Sequence, residues 1–311
     1  MLKGKVLVTG GSGFLGRGLL RRIRREGWPV EVTVYSRDEE KQHQLRHRYP
    51  EVRCILGDVR DIERLTVACA GHDIVIHAAA VKFIPEAEHN VAECIAVNVD
   101  GSRNVALAAV RAGVEQVIGL STDKACLPVN TYGMTKAIME RLFMEARRWS
   151  AGTWFGCVRY GNVVGSTGSV IPLFRQQLED SGEVRVTDKN MTRFWLSIDQ
   201  AIDLISHANT AIMPATYVYR CPAMRIVELA EVMAGDHPVR ITGIRPGEKL
   251  DERLVDYSES LRCVQDGDFY ALLPPIAEAK GEEPWTYVSS TPARWIEKDE
   301  MVAMIADAQE V

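Results

Sequence analysis

Lys5-Val-Leu-Val-Thr9 runs directly into Gly10-Gly-Ser-Gly-Phe-Leu-Gly16, and an apolar stripe at helical spacing continues from Leu15 to Ile23. A short buried strand, glycines at 10, 13 and 16, and then a helix form the turn by which a parallel sheet holds a dinucleotide. The glycines permit a tight turn, close approach of the backbone to a pyrophosphate, and close packing of the helix. The helix start offers unpaired N–H groups and the positive end of its dipole to the phosphates. A glycine turn alone is common, so the reading depends on the pattern of the chain beyond it.

That pattern is a regular alternation. Val30 to Tyr35 is a second strand, Val52 to Leu56 a third and Asp73 to His77 a fourth; Val117 to Leu120 and Thr153 to Tyr160 continue the series. Helical stretches separate them, including a long one from Val91 to Ala112 that carries Asn98 and Asn104. This spacing predicts an α/β fold with a doubly wound parallel sheet. Past the glycine- and hydroxyl-rich loop Gly161 to Ser169 the regularity loosens into polar islands between helices at about 199–209 and 225–234. Residues 1–165 are expected to form the nucleotide-binding domain. Residues 166–311 are expected to form mainly a smaller substrate lobe, with a soft boundary and room for strands to return to the main sheet. A last helix is expected from Thr291 to Ala308.

The second strand ends in Ser36-Arg37-Asp38, with Lys41 one helical turn further on. An acidic residue at this tip holds a ribose 2′-hydroxyl, whereas arginine accommodates a 2′-phosphate. Ser36, Arg37 and Lys41 favour NADP; the alternative makes Asp38 the ribose ligand and turns Arg37 to solvent. Ala78-Ala79-Ala80 ends the fourth strand with side chains small enough for a dinucleotide to lie across them. His77, a lone histidine beside a strand, reads as structural.

Ser121 to Lys136 collects the chemistry. Tyr132 and Lys136 stand four apart at the start of a helix, so both fall on one face. An ammonium beside a phenol favours the phenolate and pulls a pKa of about 10 toward neutrality. Thr122, Asp123 and Lys124 leave the carboxyl end of the preceding strand, where open parallel sheets place their ligands.

Composition narrows the partners. A net charge of −5 implies no general affinity for nucleic acid or an anionic membrane. The cluster Arg21-Arg22-Ile-Arg24-Arg25 reads as a solvated helix face. The seven cysteines are scattered without C-x-x-C or zinc spacing, which suits small buried hydrophobes in a reducing cytoplasm and predicts no metal. A strand that begins at once leaves no room for a signal peptide, and no apolar stretch approaches the length of a membrane span. A cytoplasmic location is expected.

These motifs together resemble the extended short-chain dehydrogenase/reductases that modify nucleotide sugars. Among these the chain resembles the NADP-dependent, C5-inverting UDP-N-acetylglucosamine 4,6-dehydratases. The resemblance runs through Thr9-Gly-Gly-Ser-Gly-Phe-Leu-Gly16, Tyr35-Ser-Arg-Asp38, Gly57-Asp-Val-Arg-Asp61, His77-Ala-Ala-Ala-Val-Lys82 and Ser121-Thr-Asp-Lys-Ala125. It continues in Tyr132-Gly-x-Thr-Lys136, Arg159-Tyr-Gly-Asn-Val-Val-Gly-Ser166, Met191-Thr-Arg-Phe-Trp195 and Arg245-Pro-Gly-Glu-Lys249. Thr-Asp-Lys beside Tyr-x-x-x-Lys is the discriminating feature. Retaining relatives tend to carry Asp-Glu after the threonine, and 4-epimerases carry small hydroxyl residues there. Two positions depart from the pattern: Val81-Lys82-Phe83 where Leu-Lys-His is usual, and Asp251 in place of a common histidine.

The resemblance implies a Rossmann domain, a tightly held NADP regenerated in each turnover, a UDP-sugar substrate, and a homo-oligomer. For the cofactor it implies Gly10, Ser12, Gly13, Phe14, Leu15, Gly16, Ser36, Arg37, Lys41, Asp58, Val59, Ala78, Ala79, Ala80, Lys82, Asn98, Tyr132, Lys136, Tyr160 and Val163. Lys82, Asn162, Val170, Thr187, Arg193, Arg245 and Glu248 are implied for the UDP-sugar. Tyr132 and Lys136, with Thr122 orienting the sugar O4, would oxidise C4; Lys124 would be the C5 base and Asp123 the acid for the C6 hydroxyl. The competing expectations are a 4-epimerase or reductase, which needs no Asp123–Lys124 pair, and a catalytically silent dinucleotide-binding regulator.

Overall fold

The apolar runs separate into strands that line up side by side. In the computed structural model, which describes residues 1–211, 213–245, 247–277 and 283–311, six of them are β1 (Gly4–Thr9), β2 (Val30–Ser36), β3 (Arg53–Leu56), β4 (Ile74–His77), β5 (Gln116–Leu120) and β6 (Trp154–Arg159). The helices between them are α1 (Phe14–Glu26), α2 (Glu39–Arg48), α3 (Ile62–Cys69), α4 (Ile84–His89), α5 (Val91–Ile95) and α6 (Gly101–Ala112), with α7 (Thr131–Ala146) after β5. Thr216–Tyr219 joins β6 in parallel, and the antiparallel strands Phe269–Leu272 and Cys263–Asp266 close that edge.

The nine strands run in the order Cys263–Asp266, Phe269–Leu272, Thr216–Tyr219, β6, β5, β4, β1, β2, β3. Strand order reverses between β1 and β4, which places a ligand crevice at the carboxyl ends of those strands. Val6, Val8, Ile76, Ile118 and Val158 face one apolar layer, and Leu7, Val75, Val117, Phe155 and Cys157 the other. Period-two side-chain alternation with helices on both faces requires such a two-sided core.

The chain after residue 165 divides itself between two bodies. Three of its strands return to the main sheet. The rest forms a lobe with its own core of Ile171, Phe174, Val184, Trp195, Met224 and Leu229. A small sheet of Asn162–Val163, Thr192–Leu196 and Ala223–Arg225 joins that lobe to the end of β6.

Three expectations need correction. The long helix from Val91 is interrupted: α5 passes into a π-helical turn, Ala96–Asp100, before α6. The final helix covers only Lys298–Ala308, because the preceding segment hydrogen-bonds to Ala223, its Ile296 N–H donating to the Ala223 carbonyl. The arginine cluster is a solvated face only in part: Arg24 and Arg25 are exposed, Arg21 and Arg22 are not. Arg21 binds Asp307 of the last helix, and Arg22 pairs with Asp203 of the Ile198–Thr210 helix, both guanidinium groups being largely covered. Six of the seven cysteines are buried, as apolar residues of their size would be. No helix among the described residues is long and apolar enough to cross a membrane.

Candidate active site

The glycine turn is shaped by contacts that admit no side chain. Gly10 has φ +67°, and a Cβ there would lie 2.7 Å from the Ala79 nitrogen; one at Gly16 would collide with Gly11. Gly13 caps α1 without a side-chain hydrogen bond, and the first turn carries no acidic residue. Its N–H groups therefore stay open to an anion at the crevice where Ala78, Ala79 and Ala80 leave β4. Ser12 is buried, and its carbonyl accepts from Arg17 Nη1 at 3.2 Å; Phe14 and Leu15 pack inward on the core.

At the tip of β2, Asp38 is already employed. Its carboxylate caps α2 by accepting the Lys41 N–H at 2.9 Å, and Lys41 Nζ closes on it at 2.7 Å. Both contacts hold the Asp38 carboxyl below its ordinary range. The Ser36 hydroxyl is buried and accepts from Gln42 Nε2 at 2.9 Å. Arg37 remains exposed, loosely paired at 3.5 Å to Asp58 and 3.6 Å to Glu93. Asp58 is gripped more closely by Arg60 at 2.6 Å, and Val59 is buried against Gly101. Arg37 is thus an exposed cation at the tip of β2, where Asp38 is paired to Lys41.

Asn98 plays a different part from the one expected. Its Oδ1 accepts the Val81 N–H at 2.8 Å, while Nδ2 donates to the Val81 carbonyl at 2.9 Å and to Thr135 Oγ1 at 3.0 Å. The amide is spent on shaping the loop after β4 and tying it to α7. The π-helical turn that carries Asn98 aims it there; such turns recur at functional sites. His77 is fully buried between Thr9 Oγ1 at 2.8 Å and Ser102 Oγ at 3.0 Å, and burial lowers its pKa to about 3. It is structural.

Asn130 caps α7, its Oδ1 accepting the Gly133 N–H at 2.9 Å, and this begins the helix that carries Tyr132 and Lys136. Lys136 Nζ donates to the Leu120 carbonyl at 2.7 Å, and burial lowers its pKa to about 8. The Tyr132 phenol moves opposite to expectation. Burial, then the Asp123 charge, push it well above its ordinary value, and a hydrogen bond with Thr122 only partly offsets them. Desolvation penalises the charged forms of both Tyr132 and Lys136.

Beside them, Thr122 Oγ1 donates to Asp123 Oδ1 at 2.8 Å, and Lys124 Nζ donates to the same oxygen at 3.0 Å. Asp123 is fully buried, and its Oδ2 has no hydrogen-bond partner. Burial works against the Lys124 charge, but the Asp123 and Glu252 carboxylates raise its pKa overall. Tyr160 is pushed up by burial in the same pocket, and Val163 is buried.

The second lobe closes over this pocket. Lys249 Nζ donates to the Cys126 carbonyl at 2.8 Å, and Asn130 Nδ2 to the Gly247 carbonyl at 3.3 Å, so the Arg245–Lys249 loop sits on the start of α7. Arg245 and Lys82 are exposed, Glu248, Asn162 and Val170 are half-buried, and the Thr187 hydroxyl is turned onto Met191 Sδ at 3.4 Å. Arg193, expected on the substrate, has its Nη groups committed to the carbonyls of Thr192, Lys249 and Leu250 at 2.7–3.0 Å. It fastens the loop instead of offering a fork to phosphate.

Motif reading assigned no role to a buried ion triad behind α7. Arg159 of β6 binds Glu140 of α7 at 2.6 Å and Glu259 at 2.8 Å, joining the helix of Tyr132 to the C-terminal part. Removing one member of such a buried pair costs about 3–5 kcal/mol. Arg159→Met is therefore expected to lower the melting temperature and loosen α7, checked by thermal unfolding and hydrogen exchange of 131–146.

The chain matches the polysaccharide biosynthesis protein family over residues 6–274. A UDP-N-acetylglucosamine 4,6-dehydratase (inverting) of Campylobacter jejuni serotype O:2 is 40% identical over 280 residues, 88% of this chain and 84% of that protein. A UDP-glucose 4-epimerase of Rickettsia massiliae is 38% identical over 279 residues, 86% of this chain and 82% of that one. The X-ray structure of Pen from Bacillus thuringiensis superposes with a TM-score of 0.90 at 33% identity, covering 99% of this chain and 98% of that one. With its glycine turn, Tyr132–Lys136 helix and doubly wound sheet, the chain belongs to the polysaccharide biosynthesis protein family of extended short-chain dehydrogenase/reductase fold.

Proposed function

We propose that the protein is a lyase that dehydrates UDP-N-acetylglucosamine across C4–C6 with inversion at C5, giving a 4-keto-6-deoxy nucleotide sugar. The observation that carries this reading is the buried Asp123–Lys124 ion pair beside Tyr132. Similar relatives have names of both kinds, dehydratase and epimerase, at nearly equal identity. Epimerisation at C4 uses a phenol and a lysine and has no task for a second proton-transferring pair. Elimination needs a base for C5 and an acid for the departing C6 hydroxyl, and the pair supplies both.

Tyr132, ionised to solvent before the step and balanced by the Lys136 ammonium, takes the proton of the sugar O4, which Thr122 orients, and becomes the neutral phenol. A bound nicotinamide dinucleotide supplies the hydride acceptor at C4 and the donor at C6, and so leaves each turnover unchanged. The ion pair holds one proton, on Lys124. Passed across the 3.0 Å contact to Asp123, that proton leaves an amine to accept the C5 proton and an acid to protonate the C6 hydroxyl. The elimination then restores the original ion pair. Solvent reprotonates C5 from the opposite face, which inverts the centre, and Tyr132 returns the O4 proton to solvent. Arg245 and Glu248 flank Gly247, whose carbonyl meets Asn130 at the start of α7, and their side chains suit the UDP-sugar's diphosphate and sugar hydroxyls. The test is product mass: purified protein given UDP-N-acetylglucosamine should yield a species lighter by one water, and a same-mass isomer would favour the epimerase reading.

NADP is the proposed cofactor, because Asp38 is consumed in capping α2 while Arg37 stands exposed. The parent should bind NADP more tightly than NAD, and Arg37→Ala should narrow the difference by about tenfold, the worth of one charge-assisted contact. Equal affinities in the parent, measured by fluorescence titration, would contradict the assignment. A homo-oligomer is proposed as well. Val91 and Ile95 of α5 and Met134 and Ile138 of α7 leave an apolar face exposed on helices that pack together. Light scattering at micromolar concentration should give a multiple of the chain mass, and Met134→Asp should reduce it to the monomer.

A further inference from the structure

The structure assigns Glu252, contributed by the second lobe, as a positioning residue for Lys124: its carboxylate holds the Lys124 ammonium against Asp123 and sets the charge at which the pair works. This inference rests on the dehydratase reading for its consequence in turnover. It rests on geometry alone for the contact.

Glu252 lies just ahead of Arg253–Val255 and is 3% exposed. Its backbone is fixed on both sides: its N–H donates to Ser289 Oγ at 2.9 Å, and its carbonyl accepts the Ser289 N–H at 2.9 Å. The Ser289 hydroxyl is in turn within 2.6 Å of Thr192 Oγ1. The carboxylate is thereby carried into the pocket on a rigid mount. Around it stand three cations at ion-pair distance, Lys124 at 3.5 Å, Arg193 at 3.9 Å and Lys249 at 3.8 Å, and its Oε2 accepts no hydrogen bond.

A buried carboxylate oxygen left without a hydrogen bond is expensive unless a specific charge needs the group. Arg193 is already satisfied by the backbone carbonyls of its neighbours, and Lys249 by the Cys126 carbonyl. Lys124 is the cation with a task left. It is faced by Asp123 from its own turn, by Glu252 from the second lobe and by Arg193 from Thr192–Leu196, while Asp123 also faces the Tyr132 phenol. Two carboxylates, one from each lobe, thus bracket one amine. The second lobe thereby completes the proton-transfer pair that β5 and α7 begin.

Removing the Glu252 charge makes every proton on the Asp123–Lys124 pair easier to lose. Both limbs of the pH profile of kcat/KM should therefore move to lower pH, whichever member of the pair carries the proton at a given moment. A charge at this distance shifts a partner by about one pH unit or more.

The experiment compares the parent, Glu252→Gln and Glu252→Asp in UDP-N-acetylglucosamine dehydration across pH. Glu252→Gln should displace the whole profile downward by about one unit, while Glu252→Asp, which keeps the charge, should stay at the parent's position with a lower maximum. A purely structural Glu252 would lower the maximum in both variants and move neither profile, and that result overturns the assignment. A second measurement requires neither turnover nor replacement of Glu252. In Asp123→Asn, with Glu252 the remaining carboxylate on Lys124, nitrogen NMR of lysine-labelled protein should show Lys124 still protonated at pH 9. A neutral Lys124 at that pH would equally overturn it. Absence of a dehydrated product from the parent would instead refute the dehydratase reading, leaving the NMR result to decide the role of Glu252.

Discussion

Tyr132→Phe should abolish turnover, lowering kcat by about a thousand- to ten-thousand-fold, the upper range for loss of a positioned acid–base group. The ring should still fill its half-buried site at the start of α7, so the fold and nucleotide binding should survive. The first proton transfer would have no acceptor: Lys136 is held on the Leu120 carbonyl, and the Thr122 hydroxyl is directed at Asp123. Everything downstream should fail with it, including exchange of the C5 proton, which requires the 4-ketone. A Phe variant that still exchanges C5 would remove Tyr132 from the first step. Burial and the Asp123 charge hold the phenol above its ordinary pKa, so its ionisation is expected to accompany substrate and cofactor binding. Phenolate absorbance should accordingly be missing from the free protein near neutral pH.

Lys124→Ala should separate the two halves of the reaction. Dehydration should fall by about a hundred- to ten-thousand-fold, and C5 exchange from heavy water should disappear with it. A first hydride transfer, seen as a single burst of reduced-nicotinamide absorbance, should remain. Its persistence is expected because Lys124 contacts Asp123 and Glu252 but takes no part in the Tyr132–Thr122 hydrogen bond. If Lys124 served only to hold a phosphate, KM would rise while kcat stayed close to the parent's. Near-normal C5 exchange at saturating substrate would make Asp123, whose Oδ2 is unpartnered, the leading base.

The features legible in the sequence and those hidden from it divide along one physical line. The glycine turn, the alternation of strands and helices, and the Tyr132–Lys136 spacing are set by local periodicity, and local periodicity is visible in a string of residues. Asp38, too, lay in plain view, but its use as a helix cap depended on where α2 begins. Contacts between distant segments left no such trace. Glu252 meets Lys124 only because the second lobe folds back over the strand ends, and Arg21 meets Asp307 across nearly the whole chain. Arg193 and Asn98 look like ligand-binding residues in a motif, yet backbone carbonyls and amides consume their donors and acceptors. The Tyr132 phenol departs from expectation for a related reason: spacing reports a lysine four residues on but not the burial of both groups.

The central claim is that the Asp123–Lys124 pair makes this pocket an eliminating one. It is tested most directly by the product formed from UDP-N-acetylglucosamine in heavy water, analysed by mass spectrometry and proton NMR. The account predicts a 4-keto-6-deoxy sugar nucleotide that has lost one water, bears one deuterium at C5 in the inverted configuration, and holds at C6 the hydrogen that began at C4. A product of unchanged mass, epimerised at C4 and free of deuterium at C5, would contradict it.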